Sequence, residues 1–414
     1  MNFFRLIGLL CCLTFDACAQ PLQPLPRKKI IEFGWHSPSP SYLRDNIREI
    51  EKRPFDGVAI FPPEEVGGGF VFDVEKWSKT TAKARESQLQ LLKAIPKSET
   101  LTHNFLVVRA TSTMNWHSDA DWQKVEENLR FCAQAAKAGH CKGILWDAEP
   151  YGKINPWRLS EQPPLNGEKP SLENYGPLVR KRGAQFMRAL QESMPGLTIL
   201  SLRELSDFHK GSPFTHPLFP MRDAAQAQKE LAAAWYSLRP AFINGMLDAI
   251  APNVTLIDGN EDAYFYTSRL EYYGAYQALR HEAAALIAPE NRQKYAAQFK
   301  IGHAVSLDYC AGRWADALGP FPRYLTKQAL ELTPEERARW FEHNVYYALT
   351  TADEYVWCYS EEMDWWKGQN IPPGFEEAIR LARRKQQNGE PLGFAVETML
   401  ETAQNKIKAQ TSKP

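Results

Sequence analysis

The run ILWDAEPYG, residues 144–152, closes an apolar stretch with two carboxylates, Asp147 and Glu149, one residue apart. Side chains alternate along an extended chain, so both acids point the same way as Leu145, and Ile144 and Trp146 point the other way. Two buried carboxyls are costly unless paired or hydrated, so a chain that builds such a pair has a use for it. Their chemistry would be proton transfer. Burial and like charge raise one pKa above the other, which leaves one group able to protonate a leaving oxygen. Glu149, longer and nearer the strand end, is the candidate acid/base. Asp147, two residues deeper, would hold Glu149 protonated by repulsion or bind a substrate group. A second run, EYVWCYSEEMDWW (354–366), sets Tyr355, Trp357, Tyr359 and Glu361 on one parity. Glu361 is the candidate nucleophile or catalytic base.

Further polar and aromatic residues fall at apolar-run ends. Trp35 and His36, Arg109, Tyr151, Arg203, Asp258 and Glu261, Asp308, Trp357, Tyr359 and Trp365 are the candidate substrate-binding residues. Aromatics make up 12% of the chain, with 12 Trp and 16 Tyr. Flat indoles and phenols stack on the apolar faces of sugar rings, so acids, an arginine and aromatics at one opening suit a carbohydrate.

Those residues need a scaffold that brings strand ends together. Strands are expected at 29–37, 55–62, 104–111, 141–151, 197–205, 253–261, 299–309 and 354–361. Helices are expected at 42–53, 84–95, 122–139, 177–194, 223–250 (kinked at Pro240), 269–287, 334–351 and 374–387. Eight strand–helix units with near-continuous apolar strands predict an α/β fold, a single-domain (β/α)8 TIM barrel with long βα loops over 29–390. A C-terminal helix and tail would fill 391–414. An open dinucleotide-binding sheet would show GxGxxG after its first strand, and GWHSPSPS is not that. In a barrel the C-terminal strand ends share one mouth, where Asp147, Glu149 and Glu361 would meet.

WDAEPY resembles the D-x-E ending of strand four in chitinase-type barrel hydrolases, where the Glu is acid/base and the Asp orients a 2-acetamido group. The upstream DGxDxD run of those enzymes is replaced here by CKGILWD. The whole pattern, D-x-E-x-Y on strand four and Y-x-E on strand eight, is similar to secreted glycosidase-like barrels of environmental bacteria. The resemblance implies a glycoside hydrolase with a carbohydrate substrate.

Lys+Arg and Asp+Glu are both 49 of 414 residues, and no basic surplus exists to attract nucleic acid or anionic membrane. No cofactor is expected. A metal hydrolase would want HxH on strand one, where only His36 stands. A glycan-binding barrel without catalysis, a substrate-assisted N-acetylhexosaminidase and a polysaccharide lyase using Arg109, Arg203 and Arg313 stay open as alternatives. Residues 1–19 read as a signal peptide, with Arg5 before LIGLLCCLTF and Ala17-Cys18-Ala19 as the cleavage site, too short to span a bilayer. Residues 20–28 read as a linker. Export to the periplasm or beyond is expected, with lipid anchoring through Cys18 as the variant. Cys132, Cys141, Cys310 and Cys358 lack zinc spacing and are either paired, Cys132 with Cys141 first, or buried thiols.

Overall fold

A computed structural model describes residues 25–152, 154–208, 223–313 and 323–411. The expected signal peptide, Cys18 and most of the linker lie outside the described residues, as do most of the loops at 206–222 and 312–324.

Nine parallel strand segments form one sheet: β1 (Lys29–Gly34), β2 (Gly57–Ile60), β3 (Phe105–Arg109), β4 (Gly143–Asp147), β5 (Thr198–Ser201), β6 (Thr255–Asp258), β7 (Phe299–Ile301), β8 (His303–Ser306) and β9 (Tyr355–Ser360). Their order is β7-β6-β5-β4-β3-β2-β1-β9-β8. The two ends of that row, β7 and β8, are one run of chain broken only at Gly302. β7 pairs with β6 and β8 with β9, so the sheet closes on itself as a TIM barrel. Gly302 N donates to Asp258 O at 2.7 Å, and Asp353 N to Ile301 O at 2.7 Å, across the seam.

The helices wrap the outside: α1 (Pro40–Ile50), α2 (Val74–Ser78), α3 (Ala82–Lys93), α4 (Asp119–Ala138), α5 (Leu172–Ser193), α6 (Ala224–Ala233), α7 (Arg239–Ala249), α8 (Arg269–Gln277), α9 (Arg292–Gln298), α10 (Leu307–Ala311), α11 (Arg323–Leu330), α12 (Pro334–Thr351), α13 (Phe375–Asn388) and α14 (Glu397–Thr411). Several are capped by local chemistry: Ser118 on α4, and reciprocal capping boxes at Ser171–Asn174 and Thr333–Glu336. Trp146 shows which face of the sheet they cover. It packs outward on Phe186 of α5, ring centroids 4.9 Å apart.

Three expected elements are divided. The helix expected over 223–250 stops at Ala233 and resumes at Arg239, with Pro240 at the start of α7 rather than at a kink. Proline lacks the N–H a continuing helix needs and is tolerated in a first turn. The helix expected over 269–287 changes pitch after Gln277, through a π-turn (Ala278–Glu282) and a 3-10 turn (Ala283–Leu286). The strand expected over 299–309 ends at Ser306, so Asp308 sits in the short helix α10. Cys132, Cys141, Cys310 and Cys358 are all free and buried. No described helix is long and apolar enough to cross a membrane.

Candidate active site

The last residue of β4 is Asp147, in register with Arg109 of β3. With Trp146 turned to the helices, pleating turns Leu145 and Asp147 into the barrel. Asp147 is buried, and its Oδ1 accepts the backbone N–H of Glu149 at 3.0 Å. Its carboxyl therefore shapes the turn that carries Glu149. Trp157 Nε1 fixes the same turn from outside, donating to Ala148 O at 2.6 Å. Glu149 is half-buried at the mouth, and the Tyr151 hydroxyl donates to its Oε2 at 2.5 Å. Tyr151 is 52% exposed on the rim. Burial first, then the charge of Glu149, pushes Asp147 up to about 7, against the pull of Arg109.

The wall beside β4 carries the densest ionic group. Arg203, just past β5, is buried, and both Nε and Nη2 lie 2.7 Å from Glu261 Oε2. Its Nη1 donates to Asp207 Oδ1 at 3.1 Å. Arg239, from α7, reaches Asp207 at 3.5 Å and Glu204 at 2.8 Å. Glu261 is brought here by the turn after β6. Asp258 Oδ1 accepts the N–H of Asn260, Asn260 adopts φ 40° in the left-handed region, and Glu261 N donates to Leu202 O at 3.1 Å. Asparagine tolerates that conformation because its short amide bonds locally. The Glu261 side chain is 14% exposed. Burial pushes its carboxyl up, Arg203 opposes, and the charges of Glu149 and Asp147 push it further up. The charge of Glu149 also acts on Tyr236, Tyr264 and Arg203, so these groups share one electrostatic environment.

The third wall is β9. Trp357 is fully buried in the bore, its Nε1 donating to Gly259 O at 2.8 Å. Tyr359, half-buried, donates its hydroxyl to Glu361 Oε2 at 2.5 Å. Glu361 N is held by Asp308 Oδ2 at 2.7 Å. Asp308 has no exposed surface, and burial raises it to about 7. Tyr264 stands against this wall, 5.3 Å from Trp357 and 5.6 Å from Tyr359 by ring centroids.

The fourth wall is cationic and aromatic. Gly67, Gly68 and Gly69, at φ 81°, 58° and 79°, curl the loop after β2 so that Gly68 O accepts Arg109 Nη2 at 2.5 Å. The guanidinium lies 3.7 Å from the Phe70 ring centroid. Trp35, 56% exposed, stacks on Phe61, and Phe61 on Phe33, at centroid spacings of 6.4 and 5.8 Å. His36 is exposed in the turn just beyond β1.

Of the residues expected from sequence, Asp147, Glu149, Tyr151, Arg109, Arg203, Glu261, Tyr359, Glu361 and Trp35 gather around this opening. Asp258 does not offer an oxygen to it. Buried completely, it accepts from Ser206 N at 2.8 Å and Ser206 Oγ at 2.7 Å, which ties down the loop after β5. Trp365 lies away from the mouth, buried edge-on to Phe55 at 5.0 Å. Arg313 is engaged with Glu362 at 2.9 Å and Arg203 with its two acids. Of the three arginines considered for holding a uronate, only Arg109 makes no salt bridge with a described acid. Sequence reasoning missed Asp207, Tyr236, Arg239 and Tyr264. Asp207 follows Arg203 by one helical turn, a usable signal. Arg239 and Tyr236 come from a segment that reads as an ordinary outer helix. Among the described residues no group of three or more His, Cys, Asp or Glu is arranged to hold a metal ion.

No protein-family model and no curated protein matches the chain. Sixteen solved chains resemble it. A glucosidase from Croceicoccus marinus is 10% identical with a TM-score of 0.42, over 89% of this chain and 69% of that one. A GH5 xyloglucanase from Bacteroides ovatus is 12% identical with a TM-score of 0.43, over 86% and 75%. A candidate sugar phosphate isomerase/epimerase from Anabaena variabilis is 11% identical with a TM-score of 0.40, over 92% and 98%.

Proposed function

We propose that this chain is a glycoside hydrolase acting on a carbohydrate at the barrel mouth, with Glu149 as proton donor. The observation that carries this reading is the composition of the wall around Glu149. Among the described residues, the acids Asp147, Glu149, Glu204, Asp207 and Glu261 face the guanidiniums of Arg109, Arg203 and Arg239, five to three. Such a group retains a proton near neutral pH, because full ionisation would leave uncompensated charge in a poorly hydrated space. A retained proton beside an ionised carboxylate is what cleavage of a glycosidic bond requires: one acid for the leaving oxygen, one anion for the oxocarbenium-like centre.

Glu149 fits the donor role because it is the half-exposed member, on the rim where a leaving group would depart. Asp147, below it, orients it through its backbone N–H. Trp35 and Tyr151 present exposed rings on which a neighbouring sugar would stack. The test is a screen of polysaccharides and nitrophenyl glycosides against the parent and Glu149→Gln. Loss of the acid should lower kcat/KM about 100- to 10,000-fold on unactivated glycans. It should cost far less on dinitrophenyl glycosides, whose leaving groups need no proton. Equal turnover by parent and variant on an unactivated glycan would remove Glu149 from the role.

A further inference from the structure

Cleavage needs a second carboxylate opposite Glu149, and both Glu261 and Glu361 stand at the mouth. We infer that Glu261, held by Arg203, is the catalytic nucleophile, and that Glu361 is a rim residue outside the bond-making chemistry. This rests on the hydrolase reading above.

The two acids are held differently. Glu261 presents one oxygen, Oε2, to two N–H groups of a single guanidinium, both at 2.7 Å. Among the described residues nothing donates to Oε1. A carboxylate pinned in this way is oriented, with one oxygen left to attack. The guanidinium is in turn buried and shared with Asp207, and the main-chain oxygen of Arg203 accepts from Arg239. The charge-assisted bonds from Arg203 favour the ionised form of Glu261, the form that attacks.

Glu361 lacks these features. Its Oε2 takes the Tyr359 hydroxyl, no guanidinium among the described residues touches it, and its backbone is anchored to Asp308. The rings of Tyr264 and Tyr359, 5.6 Å apart, form the wall that carries it. The charge of Glu149 bears on Glu261 and on the residues around it, whereas that of Glu361 bears on Tyr359 and Asp308.

In the first half-reaction Glu261 Oε1 bonds to the anomeric carbon as the glycosidic C–O bond breaks. That bond's electron pair goes to the leaving oxygen, which takes the proton of Glu149. In the second, water gives a proton to Glu149 and its oxygen bonds to the anomeric carbon. The ester to Glu261 breaks and the carboxylate returns. The sum is one glycosidic bond and one water consumed, with retained configuration.

The experiment uses the full chain and the nitrophenyl glycoside that the screen selects. Glu261→Gly should lose more than about 1,000-fold in kcat/KM. Sodium azide should restore turnover and yield a glycosyl azide of inverted anomeric configuration. Glu361→Gly should stay within about tenfold of the parent and show no such product. Should Glu261→Gly not fold, the parent is treated with the matching dinitrophenyl 2-deoxy-2-fluoroglycoside and its peptides are weighed; the label should sit on 261–268. Azide rescue or label at Glu361, or label at neither, overturns the inference while a loss in Glu149→Gln leaves the hydrolase reading standing. A parent inert on the entire panel sinks both.

Discussion

Glu32 lies on the helix-facing side of β1, in register with Cys358 of β9, and away from the mouth. Ser37 Oγ donates to its Oε2 at 2.9 Å, and Oε1 has no partner among the described residues. Burial raises this carboxyl to about 8, Ser37 pulls it down, and Asp364 adds to the rise. The folded chain thus holds a proton that the unfolded chain releases near pH 4.5. Between those values the native state binds more protons, so stability is full below about pH 4.5 and declines as pH rises towards 8. Glu32→Gln, neutral throughout, should lack that portion of the decline. Relative to the parent it should gain about 2–4 kcal/mol on going from pH 5 to pH 8. Denaturant unfolding at the two pH values measures this; parallel pH dependences in parent and variant would refute it. Asp147 and Glu149 were legible because strand parity and position alone place two carboxyls at a strand end. Glu32 was not, since its environment comes from β9 and from a turn after its own strand. Glu261 was legible as a mouth residue. Its arginine clamp was not, because the clamp depends on Asn260 turning left-handed and on Arg239 arriving from another element.

At the scale of elements, the barrel rhythm was legible because buried parallel strands and amphipathic helices differ in period and length. What sequence could not supply was how close two helices come. α5 and α7 meet through glycines on both sides. A Cβ on Gly183 would sit 2.0 Å from Phe242 O, and one on Gly245 would sit 1.9 Å from Arg180 O. That approach seats Arg239, at the start of α7, behind Arg203. Gly274 lies exposed inside α8, and beyond its chain neighbours and its own helix backbone a Cβ there would meet nothing within 4 Å. The two positions should therefore answer the same substitution with opposite sign. Gly274→Ala should stabilise by about 0.5–1 kcal/mol through helix propensity and reduced unfolded-state freedom. Gly183→Ala should destabilise by about 1–3 kcal/mol or more, since backbone must move to admit the methyl. It should also weaken catalysis by displacing the Arg239–Asp207–Arg203 chain. Thermal melts of both variants decide the matter; like-signed shifts would mean that α5 and α7 do not pack as closely as these contacts require.

At the scale of the whole molecule, the mouth exists only when the ring is shut. Glu149 leaves β4, Glu261 follows β6, and Tyr359 belongs to β9, which pairs with β1 from Lys29–Tyr355 to Gly34–Ser360. Those partners are more than 300 residues apart in sequence, so closure is a late, non-local event in folding. Until it occurs, β1 and β9 present unpaired edges, which template association with other chains. The last helix has a different status. α14 packs on α11 through Leu400 and its neighbours, and touches neither β1 nor β9 among the stronger contacts. Two truncations separate these roles. A chain ending at Gly389 keeps all nine strand segments and should unfold in one cooperative transition, at a lower temperature than the parent, because the buried Val396, Leu400 and Ala403 are lost and α11 loses the helix packed on it. A chain ending at Thr351 lacks β9 and should show helical circular dichroism without a cooperative melt, and associate on gel filtration. If the shorter chain melted cooperatively as a monomer, the barrel would not depend on its seam. The convergence of Glu149, Glu261 and Tyr359 would then need some cause other than closure.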